Sequence, residues 1–188
     1  MTKGDKTRQF IIETSIPLFS EKGYTAVSMK DICERCQMSR GGVYRHFSST
    51  KEIFSELLRS DLELNKSIVE ENIGKGISAV KILNAYFKQE IEAIYSENNG
   101  LFFAIHEFAF AESDQQSALN KHVEDSIGVL ESLFRYGQSS GEFKLFDPKV
   151  VATHVIYFMD SLKTSASILS LSHHSLEEQI NLLKELII

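Results

Sequence analysis

The sequence predicts an all-helical, all-α protein of about nine helices. A three-helix head with a helix-turn-helix, residues 1–50, precedes a helical body, residues 51–188. Three observations carry that reading. The chain has only two prolines and no tryptophan, and no run alternates convincingly with period two. Apolar residues return every three or four positions along most of its length, and 43% of residues are hydrophobic, enough for a sizeable core. Breaks at Gly23, Gly74, Asn98-Asn99-Gly100, Gly141 and Asp147-Pro148 cut that pattern into helix-length pieces.

The first helix is expected from about Lys6 to Lys22, with Ile12, Ile16 and Phe19 as its stripe and Gly23 as its stop. Pro17 lies inside it, removing one hydrogen bond and crowding the carbonyl of Glu13, so a local bend is expected. Ser28-Met29-Lys30-Asp31 is a capping-box pattern. Met29, Ile32, Cys33 and Cys36 then share one apolar face. Ser39 caps a further helix running through Phe47. Val43 and Phe47 lie on its inner face, Gly41, Gly42 and Arg45 point away from them, and Tyr44 and His46 flank. Ser49-Thr50-Lys51-Glu52 is a second capping box. The helix it opens, residues 50–72, spans roughly 35 Å, too long to lie within the head. It is expected to bridge head and body and to act as a lever between them.

In the body, helices are expected at Ile77–Asn98, Leu101–Glu112, Ser117–Ser140, Lys149–Ser170 and Leu176–Ile188. The second of these, LFFAIHEFAFAE, is dense in phenylalanine. The fourth is apolar on several faces, which implies burial on several faces and hence a partner subunit. A homodimer seam is expected through Val155, Phe158, Leu162, Leu176, Ile180, Leu183 and Ile187. His173-His174 falls in an expected loop.

Charge is divided unevenly. Residues 1–60 carry ten Lys/Arg and seven Asp/Glu, a net +3, while residues 61–188 carry ten and nineteen, a net −9. A basic head on an acidic body concentrates attraction for phosphate at one end. From Arg35 to Lys51 there are four cations and no acid. A short cationic helix kept slim by two glycines suits a DNA major groove, which admits one helix.

Other chemistries find less support. Cys33 and Cys36 form a C-x-x-C, which is read as core packing. A zinc site needs more ligands than the sequence supplies at the right spacing, and a redox pair is expected beside a βαβ pattern. His106-Glu107 would need histidine at position 110 for a zinc-protease motif and finds Phe110. No cofactor or metal is expected. No run approaches the roughly 18 apolar residues of a membrane span, and the charged first residues give no signal sequence, so a cytoplasmic location is expected.

The string Phe19-Ser20-Glu21-Lys22-Gly23-Tyr24, continuing through Ser28 and Ile32 to Ser39-Arg40-Gly41-Gly42-Val43-Tyr44-Arg45-His46-Phe47, resembles the tetracycline-repressor-like (TetR) family of bacterial transcription regulators. The likeness is specific over about the first 55 residues. It implies a DNA-binding head, a variable ligand-binding and dimerisation body, and repression of a palindromic operator relieved by a small hydrophobic effector. Two positions depart from the family pattern. Thr50 stands where the family usually has lysine, with Lys51 one later, and Gln37 stands where it often has glycine.

The residues expected on DNA are Ser28, Met29, Ser39, Arg40, Gly41, Gly42, Tyr44, Arg45, His46, Thr50 and Lys51. Arg40 is expected on bases, with Tyr44, His46, Ser28 and Lys51 on phosphates. An apolar pocket with a few polar anchors is expected among Tyr86, Phe102, Phe103, His106, Phe110, His154, Tyr157 and Phe158. A DNA-binding regulator without a ligand is the alternative. An enzyme using His106 and Glu107 is a remote one, lacking a nucleophile motif, a metal cluster or a phosphate loop.

Overall fold

The computed structural model describes residues 2–188. Among them are nine α-helices and no strand: α1 (Lys3–Lys22), α2 (Met29–Arg35), α3 (Arg40–Tyr44), α4 (Thr50–Gly74), α5 (Ala79–Ile94), α6 (Leu101–Ala111), α7 (Gln116–Ser139), α8 (Pro148–Ile168) and α9 (His173–Ile187). A short 3-10 turn, Ser113–Gln115, joins α6 to α7.

The chain forms two compact units, and they do not follow one cut at residue 50. The first holds Met1–Asp61 together with Glu97–Leu119, and the second holds Leu62–Ser96 with Asn120–Ile188. So α6 lies in the unit that carries the helix-turn-helix. Helices α4 and α7 contribute residues to both.

In the first unit, caps define the short elements. Thr2 and Asp5 form a capping box that starts α1 at Lys3, earlier than the apolar stripe alone suggests. α1 runs through Pro17 as one helix and ends at Gly23, whose φ of 76° lies in the left-handed region that glycine adopts without strain. Ser28 and Asp31 complete the expected box on α2.

The turn after α2 closes with Gln37 N–H donating to the Glu34 carbonyl (3.1 Å) and Met38 N–H to the Cys33 carbonyl (3.0 Å). This is a Schellman motif, and it requires a left-handed residue at Gln37, whose φ is 53°. Gly76 and Gly141 occupy the same kind of position elsewhere in the chain. Ser39 caps α3 by accepting from Gly42 N–H at 3.2 Å. α3 is shorter than its apolar spacing implies. It ends at Tyr44, and residues 45–47 turn back onto the carbonyls of Gly41 and Val43. At α4, Ser49 accepts from Glu52 N–H, but the carboxylate of Glu52 reaches Ser48 N–H (2.7 Å) rather than Ser49.

The core of this unit is aromatic. Phe19, Tyr24, Phe54 and Phe108 pack edge-on and tilted, with centroid separations of 4.8 Å for Phe19–Phe54 and 4.9 Å for both Tyr24–Phe108 and Phe54–Phe108. Phe108 and Ala104 of α6 are buried there beside Ile11, Val43, Phe47 and Ile53. A head of some fifty residues buries little surface and is marginal by size, and α6 adds a wall to its core. The backbones approach closely: a Cβ on Gly100 would stand 2.3 Å from the Ser20 carbonyl oxygen, so only glycine fits there. Cys33 and Cys36 are free, buried core residues, and burial pushes the Cys36 thiol upward.

The second unit packs α5, α7, α8 and α9, with the rest of α4, around Leu83, Phe87, Leu130, Phe134, Val155, Met159, Ile180 and Ile187. Ser78 precedes α5 but makes no side-chain cap. Glu142 caps that helix instead, accepting from the N–H groups of Ala79 (3.0 Å) and Val80 (3.3 Å) and from the Ser78 and Ser140 hydroxyls. Asp147 caps α8 with Pro148 at its first position, as expected. His173 and His174 do not lie in a loop. Ser172 caps α9 just before them, and His173 stacks on Tyr95 at 4.9 Å.

Candidate nucleic-acid interface

The helix-turn-helix presents one slim face. Arg40, Gly41 and Arg45 are exposed, Gly42 is half-buried, and a Cβ on Gly41 would meet nothing within 4 Å. Arg40 and Arg45 make no ion pair among the described residues, so both charges are available to an anion. Tyr44 is 49% exposed, and His46, Met29 and Thr50 are half-buried. Ser28 and Ser39 are exposed, but their hydroxyls already accept from backbone N–H groups as helix caps. Against that face, Val43 and Phe47 are fully buried. The apolar spacing of α3 therefore sets which side chains turn outward.

Lys51 is placed differently. Its ammonium lies 2.5 Å from Asp114 and 3.3 Å from Glu112, both just beyond α6. The Asp114 contact is the main cause that raises its pKa. As folded, this cation is already neutralised. The basic excess of the head is accordingly local. The compact unit as a whole gains four acids and no Lys/Arg from residues 97–119, giving ten Lys/Arg against twelve Asp/Glu.

Three of these acids, Glu107, Glu112 and Asp114, explain how α6 is held. Glu107 accepts from the Tyr24 N–H (2.7 Å) and the Thr25 hydroxyl (3.2 Å), at the turn that ends α1. It is an anchor at that turn, which is the task the fold assigns to a residue that the sequence offers as a catalytic base. The Tyr24 hydroxyl donates to Glu112 at 2.7 Å, and burial first, then Glu112, pushes the phenol pKa well up. No periodicity links residues more than eighty positions apart, so sequence reading misses these contacts. It also misses Arg8, whose guanidinium lies 4.1 Å over the Phe47 ring and donates to the His46 carbonyl.

The eight residues expected around an effector fall four in each unit. In the first, Phe102 and His106 are half-buried and Phe103 and Phe110 are exposed, Phe110 to 90%. Phe103, His106 and Phe110 line an open groove of about 430 Å³ with Thr25, Glu107 and Ala111. In the second, burial first, then the Glu90 charge, pushes the Tyr86 phenol well up. His154 and Tyr157 are exposed, and Phe158 is half-buried with its ring 6.2 Å from that of His154. Glu90 pairs with Lys163 between α5 and α8, a half-buried pair that the sequence does not single out.

The expected dimer seam needs correction. Val155, Leu176, Ile180, Leu183 and Ile187 are buried in the protomer's own core, and Phe158 and Leu162 pack against it. An apolar stripe reports burial but not what does the burying. The outward faces of α8 and α9 carry Val150, Tyr157 and Ile168, and Leu182 and Leu186, each more than half exposed.

Among the described residues, no helix is long and apolar enough to cross a membrane, and no group of three or more His, Cys, Asp or Glu could hold a metal ion.

Comparison with known proteins bears on the helix-turn-helix segment and on the fold. The family model described as "Bacterial regulatory proteins, tetR family" matches residues 11–57, the span from α1 into α4. YfiR of Bacillus subtilis strain 168, named an uncharacterized HTH-type transcriptional regulator, is 27% identical over 164 residues, 83% of this chain and 76% of that protein. A protein of Escherichia coli K12 named "Probable acrEF/envCD operon repressor" is 31% identical over 72 residues, 38% of this chain and 32% of that one. The crystal structure of regulatory protein TetR from Rhodobacter sphaeroides superposes with a TM-score of 0.79 over 96% of this chain and 98% of that one, at 17% identity, a likeness of fold. Residues 11–57 thus match the tetR family of bacterial regulatory proteins, the whole chain has a TetR-like fold, and these findings support a DNA-binding transcriptional regulator.

Proposed function

We propose that the chain is a homodimeric repressor that binds a two-fold-symmetric operator and is released from it by a small apolar effector. The observation that carries the DNA part is the face of α3, where two exposed arginines without ion pairs flank two glycines on a helix held by one buried side chain, Val43. Arg40, in the first turn of α3, and secondarily Arg45, just past its end, reach base edges; Tyr44, His46 and the first turn of α4 at Thr50 hold phosphates. Ser28, Met29, Ser39, Gly41 and Gly42 frame the approach. Lys51 joins only if it leaves Asp114 and Glu112.

The dimer uses the outward faces of α8 and α9 rather than their core stripes. Val150, Tyr157 and Ile168 together with Leu182 and Leu186 leave apolar surface in water that a second copy would cover. Two recognition helices about 34–36 Å apart, or a multiple of that, would then meet successive major-groove turns. The effector reading rests on the aromatic residues of α6, where Phe103, His106 and Phe110 line an open groove. An effector that prefers the non-binding state about a hundredfold shifts the balance by about 2.7 kcal/mol per site, and operator DNA must weaken its binding by the same factor.

Selection of duplexes from a random-sequence pool tests the first part. A palindromic consensus is expected, lost on Arg40→Ala with Arg45→Ala; a double variant that selects the same consensus with equal affinity contradicts it. Calorimetry of apolar compounds against free and duplex-bound protein tests the second. Equal affinity in both would leave a regulator without a small-molecule switch.

A further inference from the structure

Three side chains of the recognition surface stand where α3 gives least support. Tyr44 is the last helical residue, and Arg45 and His46 follow it. The amides there are fixed: Arg45 N–H donates to Gly41 (3.2 Å), and His46 and Phe47 N–H both donate to Val43 (2.9 and 3.0 Å). The His46 carbonyl is taken by Arg8 of α1, 38 residues away.

One guanidinium makes three kinds of contact. Its face lies 4.1 Å over the buried Phe47 ring. Its Nη1 donates to the His46 carbonyl. Its nitrogens also lie 3.8 Å from Glu52 and 4.0 Å from Glu56 in the first two turns of α4. Arg8 therefore ties α1, the end of α3 and the start of α4 at the residue that follows Arg45. A planar fork lays its flat face on a ring while its edges donate over the width of the group; a lysine ammonium has three donors but neither that face nor that span. Glu52, with a share of Glu56 that also pairs with Arg59, offsets its charge, and the Phe47 ring covers its face, which leaves it little attraction for phosphate.

We infer that Arg8 is a positioning residue of the DNA interface: it fixes the backbone that aims Arg45 and His46, and does not itself meet the duplex. The inference rests on the recognition face proposed above. Its consequence is that Arg8 sets discrimination between sequences and leaves the electrostatic part of binding alone.

The test uses the full chain, a duplex selected by the wild-type protein from a random pool, and a scrambled duplex of equal length. Affinity for each is measured against salt for wild type, Arg8→Lys, Arg8→Met and Arg40→Ala. Any unfolded fraction lowers both affinities equally, so their ratio reads positioning alone. Arg8→Lys and Arg8→Met are each expected to lower that ratio about tenfold, the size of one degraded base contact. The slope of log affinity against log salt stays unchanged. A slope that flattens by about one per protomer on both duplexes would put Arg8 on a phosphate and overturn the inference. So would an unchanged ratio with a lowered melting temperature, which would make Arg8 purely structural. Arg40→Ala separates the two levels. If it collapses the ratio and Arg8→Lys does not, this inference alone fails. If Arg40→Ala also leaves the ratio intact, the recognition face itself is misplaced and the inference falls with it.

Discussion

Two helices of the first unit, α3 and α6, are held to it by opposite means. α3 is five residues long and contributes one buried side chain, Val43, and its place comes from a serine cap, a Schellman turn and the Arg8 contact just beyond its end. α6 is eleven residues long and is held by Phe108 and Ala104 in the aromatic core, by Glu107 on the turn after α1, and by a glycine that lets its start touch α1. The difference follows from what each face must do. A helix that enters a groove keeps its outer side bare and thin, so its fixings are polar and local. A helix that completes a core can be fixed by bulk. Specificity therefore sits on the least buried helix of the unit, and that helix is steady only because its neighbours are.

The largest effect should come from the bulky fixing. Phe108→Ala removes the ring that packs on both Tyr24 and Phe54 and should cost about 3–5 kcal/mol in chemical denaturation. DNA binding should fall with it although no interface residue is altered. If the variant melts like the wild type, α6 does not complete the head. Next in size is the polar pin on α6. Glu107→Ala leaves the Tyr24 N–H without its acceptor, for a loss of about 1–3 kcal/mol in the same assay. An unchanged midpoint would mean that the carboxylate contributes nothing to docking.

On the α3 side the expected change is a gain. Gln37→Gly relieves a left-handed residue in the turn between α2 and α3 and should stabilise by about 1 kcal/mol. A loss of stability would show that the glutamine side chain offsets its backbone strain.

How far these features can be read from sequence depends on their range. The boxes at Ser28-Asp31, the caps at Ser39 and Asp147, and the strain at Gln37 are legible because cap and capped residue lie within four positions of each other. The early end of α3 is not, because Phe47 keeps the helical spacing of Val43 while the backbone has already turned. The place of α6 is not, because Tyr24 and Glu107 are 83 residues apart. The seam of α8 and α9 is misread for a third reason: Val155 and Ile180 are correctly apolar and correctly buried, but within one protomer.

Acid provides a finer comparison, between a cap in each unit. The Lys22 contact first, then Ser28, holds the Asp31 carboxyl below its ordinary range, and Ser78 first, then the Ala79 N–H, holds Glu142 down to about 2. Both pKa values are lowered by folding. Each cap is therefore fully stabilising above the ordinary carboxylate range and fades as pH falls toward 2. Glu142→Gln should flatten the fall of melting temperature between about pH 4.5 and 2; an identical acid limb would exclude Glu142 as its source. The smallest expected change lies at Lys51. Asp114→Asn together with Glu112→Gln should steepen the salt dependence of DNA binding by no more than about one per protomer as that cation is freed. No steepening would mean that Lys51 stays off the phosphates even when released.

The most direct measurement of α6 as part of the DNA-binding unit is native-state hydrogen exchange resolved by residue. The amides of α6 around Ala104 and Phe108 should open with the same free energy as those of α1 around Ile11 and Phe19, and Phe108→Ala should lower both sets together. Amides of α6 that instead open in step with the cores of α5 and α8, and that leave α1 unchanged in the variant, would contradict it.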